Sequence, residues 1–317
     1  MKLYKIILIA GLILIFLNSC ETVNEFIVGL QSNIRENTTD NGNDSKKTLF
    51  GVNNVEYDKP PSIKNCYEGE LSENTKKKVL EKINYIRSLH ELNPVSYNTD
   101  NDIYAQKGAL IIAANKILNH FPPESWKCWS EDGKKGCSTS NIFGGTGNWL
   151  PDQAIISWLI DLDVPSLGHR RWMISPFLKT IAYGHVAAGG FTAATLMVVN
   201  EEVQKCSVDF VAYPYQEYPA EFFSLDGYLS FTVIRDRKSP WGNSDINFKT
   251  VNITIRTESR EKLKVTDIKT DSEGYGVPNI LFWKVNRLKP GTKYFVNIHN
   301  VNIKKGKKDY EYWFLFE

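Results

Sequence analysis

The sequence predicts an α+β domain followed by an all-β sandwich. Three observations carry this expectation. Apolar residues recur at helical spacing in three segments between about 71 and 162; the pattern turns to strands after His169; and from about 209 onward only alternating, turn-bounded strands follow. Helices gathered ahead of strands argue for a layered α+β domain rather than alternating βαβ units.

The elements follow in order. Residues 1–19 read as an export signal: Lys2 and Lys5 open it, and the apolar run Ile6 to Leu17 is too short and too terminal to span a membrane. Leu17-Asn18-Ser19-Cys20 resembles a bacterial lipobox, so Cys20 is expected to be the lipidated first residue of the mature chain, held at the membrane of a bacterial cell envelope by lipid alone. An ordinary signal peptide with a chance cysteine is the rival reading. Residues 20–68 are expected to be a disordered tether, since Asn37 to Ser45 has too little apolar surface to order itself. The whole sequence has 38 basic and 36 acidic residues, and losing Lys2 and Lys5 with the signal leaves the two signs equal. That balance lacks the basic excess nucleic acid calls for. Lys304-Lys305-Gly306-Lys307-Lys308 reads as a solvated hairpin tip.

Order is expected to begin near Leu71, giving a first domain over 69–206. Ser72 can cap a helix carrying Val79, Leu80, Ile83, Ile86 and Leu89, ended by Leu92-Asn93-Pro94-Val95. Asp100 or Asn101 can cap a second, running through Ala105, Ala109, Ile112 and Leu118, with Pro122 and Pro123 stopping it just after His120. Pro151 suits the first turn of a third, with Ile155, Trp158, Leu159 and Leu162 on its apolar face. Strands are expected over Thr180 to Val186, Thr192 to Val199 and Val203 to Val211. In the second domain, 207–317, Leu229/Phe231/Val233 and Val251/Ile253/Ile255 alternate, and further strands hold Leu263/Val265, Ile280 to Val285, Tyr294 to Ile298 and Tyr310 to Phe316. Leu288-Lys289-Pro290-Gly291-Thr292-Lys293-Tyr294 resembles the tyrosine corner of immunoglobulin-like and fibronectin-like sandwiches, in which the hydroxyl bonds back to backbone upstream.

With Cys20 lipidated, Cys66, Cys128, Cys137 and Cys206 form an even set in an oxidising compartment, and three pairings are open. The short loop between Cys128 and Cys137 favours that pair, leaving Cys66 and Cys206 to tie the ends of the first domain. A zinc site built from the four is disfavoured because close paired spacing is missing.

Four short stretches carry the chemistry: Asn119-His120-Phe121-Pro122-Pro123, Ser140-Asn141-Ile142, Trp158 followed three residues on by Asp161, and Gly168-His169-Arg170-Arg171-Trp172. In this order they resemble the CAP superfamily (cysteine-rich secretory proteins, antigen 5 and pathogenesis-related proteins), in a divergent bacterial lipoprotein branch. The resemblance covers about 71–206 and implies a CAP-type (SCP-like) α-β-α sandwich. It also implies that two histidines, His120 and His169, converge on one cavity with two acids. Asp161 stands for one acid, in place of the commoner glutamate; Ser140 stands where the glutamate of a Glu-Asn-Ile/Leu motif would be. Two neutral imidazoles can bind zinc or another divalent metal, completed by carboxylate or water. The loss of a carboxylate at Ser140 weakens that prospect, and Glu124 is a substitute from the loop. The plainer alternatives are that His120 hydrogen-bonds the last carbonyls of its helix and that Asp161 pairs with Arg170 or Arg171.

Ser140, Asp161 and His169 also follow the chain order of one hydrolase triad. Ser140 lies in no Gly-x-Ser-x-Gly elbow, however, and the only candidate oxyanion element is Gly144-Gly145-Thr146-Gly147, expected to be a mobile loop and lacking the Lys-Ser/Thr of a phosphate loop. His90, His185 and His299 match no family position, and His90 is expected to cap or cover the first helix. Trp126, Trp129, Trp149, Trp158 and Trp172 are expected mostly in the core, with some free to line a groove for lipid or sugar. The expected function is a tethered extracytoplasmic binding protein for a lipid, glycan or protein ligand, with the sandwich as spacer or adhesion module. The alternatives are a hydrolase of peptide or cell-wall material using the same residues, and a vestigial cleft.

Overall fold

The structure, a computed structural model, describes residues 51–162 and 164–317. The signal segment, Cys20 and the tether up to residue 50 lie outside the described residues. In chain order the elements are β1 (Tyr57–Lys59), β2 (Glu70–Leu71), α1 (Glu73–Ser88), β3 (Ser96–Tyr97), α2 (Asp102–Asn115), α3 (Glu131–Ser138), β4 (Ser140–Thr146), α4 (Pro151–Ile160), α5 (Gly168–Met173), β5 (Thr180–Ala188) and β6 (Phe191–Met197). They continue with β7 (Phe210–Tyr213), β8 (Gln216–Tyr218), β9 (Leu229–Val233), β10 (Asn252–Thr257), β11 (Lys262–Leu263), β12 (Val265–Asp271), β13 (Ile280–Val285), β14 (Lys293–Ile303) and β15 (Gly306–Phe316). The described part of the chain is thus α+β, with its α-helices lying between Glu73 and Met173. It divides into two compact units. Among the described residues, one holds 51–84, Val95–Ile155 and Thr180–Glu201; the other holds Tyr85–Pro94, residues from Ile156 to Lys179, and Glu202–Glu317.

The first unit is built on the four-stranded sheet β3-β5-β6-β4. β5 and β6 form a hairpin turned by Gly189-Gly190, both at positive φ, as a tight two-residue turn requires. Ser72 caps α1 as predicted, its Oγ accepting from the Thr75 N–H at 3.2 Å. α2 is the central core helix, with Ala105, Ala109, Ile112 and Ala113 all buried. Its small residues permit very close crossings: a Cβ at Gly184 would lie 2.2 Å from the Ala105 carbonyl oxygen, and one at Gly136 only 1.9 Å from that of Tyr104.

Three expectations about this unit are corrected. The loop between Cys128 and Cys137 contains helix α3, capped by Ser130, and that helix turns Cys137 into the core beside Gly108 and Ile142. The disulfide is therefore Cys66–Cys128, whose two sulfurs both lie by the Ile63 carbonyl. Cys137 is a buried free thiol, as is Cys206, which packs with Phe177 and Ile234 in the other unit. The end of the expected tether is folded: β1 pairs with β2, and the disulfide fastens residue 66. The glycine run is strand β4 rather than a mobile loop; Gly144 and Gly145 pair with Ala193 and Thr192 and are buried because bulkier side chains, Phe191 and Trp149, close over them.

The second unit carries two sheets, β11-β10-β14-β15-β8 and β12-β13-β9-β7, whose inward rows meet in an aromatic core that includes Phe231 stacked on Tyr312 at 6.1 Å. The tyrosine corner is present: Tyr294, 1% exposed, accepts the Lys289 N–H at 2.8 Å through its hydroxyl. The strand expected from Val203 begins only at Phe210. Residues 85–94 and 156–179 belong to this unit because buried arginines tie them together. Arg87 donates to the carbonyls of Asn93, Met173 and Ser175, and Arg170 donates to that of Tyr228. His90 does not cap α1; it is buried beyond the helix end, donating from Nδ1 to Ala212 O at 2.8 Å and meeting the Tyr218 hydroxyl at Nε2.

Candidate functional site

Asp161 and His169 lie together in the second unit. Asp161 directly follows α4 with φ of 50°, a left-handed turn that ends the helix and swings its carboxylate toward the first turn of α5. There it takes two donors. His169 Nδ1–H donates to Oδ1 at 2.8 Å and the Arg170 backbone N–H to Oδ2 at 3.2 Å. The carboxylate is 1% exposed and the imidazole 25%, so a buried acid orients a reachable ring. The bond to Asp161 fixes the orientation of the ring.

The expected pairing of Asp161 with an arginine guanidinium does not occur. Arg170 spends its guanidinium on the carbonyls of Leu159, Ile160 and Tyr228 and stacks it 3.9 Å from the centre of the Tyr213 ring. Arg171 instead pairs with Asp271 at 2.7 Å. The Gly-His-Arg-Arg motif thus presents one histidine outward and anchors it from below with two buried cations. Tyr213, Tyr228 and Asp271 form that support from 40 or more residues away, and no local pattern in the sequence marks them.

His120 and Ser140 lie in the first unit. α2 ends at Asn115, where Lys116 takes the left-handed conformation and returns its N–H to Ile112 O. His120 is therefore in the following loop and not at a helix terminus as expected. Its Nδ1 donates to Cys137 O at 2.8 Å, and the residue is 6% exposed. Ser140 opens β4; its Oγ is buried and has no hydrogen-bond partner among the described residues. No base is in place to activate it, as a nucleophilic serine requires. Glu124 is exposed on its loop. A cavity of about 410 Å³ elsewhere in this unit is lined by Tyr67, Glu70, Lys76 and Asp102 among others, and by none of the expected site residues.

Among the described residues no group of three or more His, Cys, Asp or Glu is placed to hold a metal ion. The donor pair in direct contact is His169 with Asp161.

Comparison with known proteins agrees with the motif order. The CAP family (cysteine-rich secretory protein family) matches residues 80–200. A solved structure of an extracellular protein containing an SCP domain from Bacillus anthracis str. Ames is similar at 15% identity and a TM-score of 0.27, covering 41% of this chain and 45% of that one. The chain thus spans under half the length of that protein. No curated protein matches the chain. The match over 80–200 takes in His120, Ser140, Asp161 and His169, so that stretch of the chain is similar to the CAP family.

Proposed function

We propose that this chain is an extracytoplasmic binding protein, lipid-anchored to a bacterial cell envelope through Cys20, that contacts its ligand through His169. The observation that carries the reading is the His169–Asp161 pair: a fully buried carboxylate holds a part-exposed imidazole in one orientation. Such a ring is a pre-oriented hydrogen-bonding group, and the two buried arginines beneath it keep the support rigid. The unactivated Ser140 favours binding over hydrolysis. The similarity of residues 80–200 to a secretory protein family supports the extracytoplasmic side of the proposal, and the sandwich serves as a spacer or adhesion module.

The test is co-sedimentation of the purified full chain with three probes: peptidoglycan sacculi, phosphatidylglycerol vesicles and phosphatidylcholine vesicles. The expected result is saturable binding to one of them, weakened about tenfold in His169→Ala, which corresponds to about 1.4 kcal/mol. Binding unchanged in a folded His169→Ala variant would overturn the assignment of His169 as the contact residue.

A further inference from the structure

The second unit buries more positive charge than its carboxylates balance. Arg87, Arg170 and Arg171 are 0%, 1% and 6% exposed. Asp271 pairs with the Arg171 guanidinium, whereas Asp161 takes only the backbone N–H of Arg170. Arg87 has no carboxylate partner among the described residues; it donates to the carbonyls of Asn93, Met173 and Ser175. Of the three buried guanidiniums, only that of Arg171 is paired with a carboxylate among the described residues, and Asp161 is the one other acid bonded within the Arg170–Arg171 segment. Burial pulls all three below the usual arginine range, Arg87 to about 9, because desolvation disfavours the charged form.

Two guanidinium N–H donors are also unanswered among the described residues, Arg87 Nη2 and Arg171 Nε. Arg171 and Arg170 line a small cavity of about 20 Å³ together with Ser175, Ser230, Thr232 and Val211. That volume admits one particle the size of a water molecule. It excludes phosphate, sulfate and carboxylates, which carry several heavy atoms. We propose that this cavity is a site for a single chloride ion. One monovalent anion restores the charge balance, accepts from the open Arg171 Nε–H and can take hydroxyl donors from the lining. The apolar remainder of the wall, including Val211 and Ile280, suits a weakly hydrated halide better than fluoride. Water is the competing occupant; it would answer the donor and leave the charge.

The test uses the full chain exchanged into sodium gluconate and titrated with sodium chloride at constant ionic strength. A chloride site predicts a saturable rise in Tm following the linkage relation for a ligand of the folded state, reproduced by bromide, with an anomalous bromide peak beside Arg171 Nε in crystals grown from bromide. Val211→Ile, which adds a methylene to the cavity wall, should fold and lose the chloride-dependent rise. Equal Tm in gluconate and chloride, together with no bromide peak, means a water only and overturns the proposal. A chloride effect undiminished in Val211→Ile overturns its placement in this cavity.

Discussion

Asp161 illustrates how much one side chain can organise. Its left-handed backbone ends one helix, and its two oxygens start the next by holding the Arg170 N–H and orienting His169. Asp161→Asn keeps the shape but offers one acceptor where two are used, so one buried donor loses its partner. The expected cost is about 1–3 kcal/mol in urea unfolding, with ligand binding reduced alongside, because the imidazole loses its fixed orientation. Two other histidines make a second residue-scale prediction. Burial pushes His90 and His185 each down to about 4 from an ordinary 6.5. Between those values the unfolded chain binds a proton that the folded chain refuses. Stability from these neutral rings is therefore full above about pH 6.5 and falls as pH drops toward 4, by up to about 1.4 kcal/mol per pH unit for each ring. Urea midpoints measured from pH 7 to 4 should show this slope, and His90→Gln should make it shallower; an unchanged slope in that variant counts against the buried neutral ring.

Elements whose own residues decide their conformation were legible in the sequence. α1 has its cap and four turns of apolar spacing, the sandwich strands alternate, and Tyr294 sits at a fixed offset from Pro290-Gly291. Elements decided by distant partners were not. α3 has the sequence Glu-Asp-Gly-Lys-Lys-Gly-Cys-Ser, a poor helix by propensity; its place is set by α2 passing over Gly136. β4 looks like a loop because its glycines are chosen for the rings that cover them. The disulfide followed from those two failures: a loop between Cys128 and Cys137 would allow their pairing, and a helix that buries Cys137 does not. The bond Cys66–Cys128 closes a separation of 62 residues. Breaking it as Cys66→Ser plus Cys128→Ser should cost about 2–4 kcal/mol in denaturant unfolding. Cys137→Ala, a free thiol in the core, should cost less; the reverse ranking would argue for the Cys128–Cys137 pairing.

For the whole molecule, the order of the motifs was informative where any single motif was weak. His120, Ser140, Asp161 and His169 were placed by their succession, and the family match covers all four. Their surroundings were beyond reach of the sequence, since the Tyr228 carbonyl and the Tyr213 ring that support Arg170 come from more than 40 residues away. No helix among the described residues is long and apolar enough to cross a membrane. If Cys20 carries the anchor, Cys20→Ser should move the protein from the membrane fraction to the soluble fraction, and labelled palmitate should be incorporated by the wild-type chain only. The claim on which the functional account turns is that the His169–Asp161 pair binds and does not catalyse. Its most direct test is the rate at which the purified chain hydrolyses a peptide substrate and peptidoglycan, with His169→Ala as control. The account predicts no rate above buffer for either protein; turnover by the wild-type chain that disappears in a folded His169→Ala variant would contradict it.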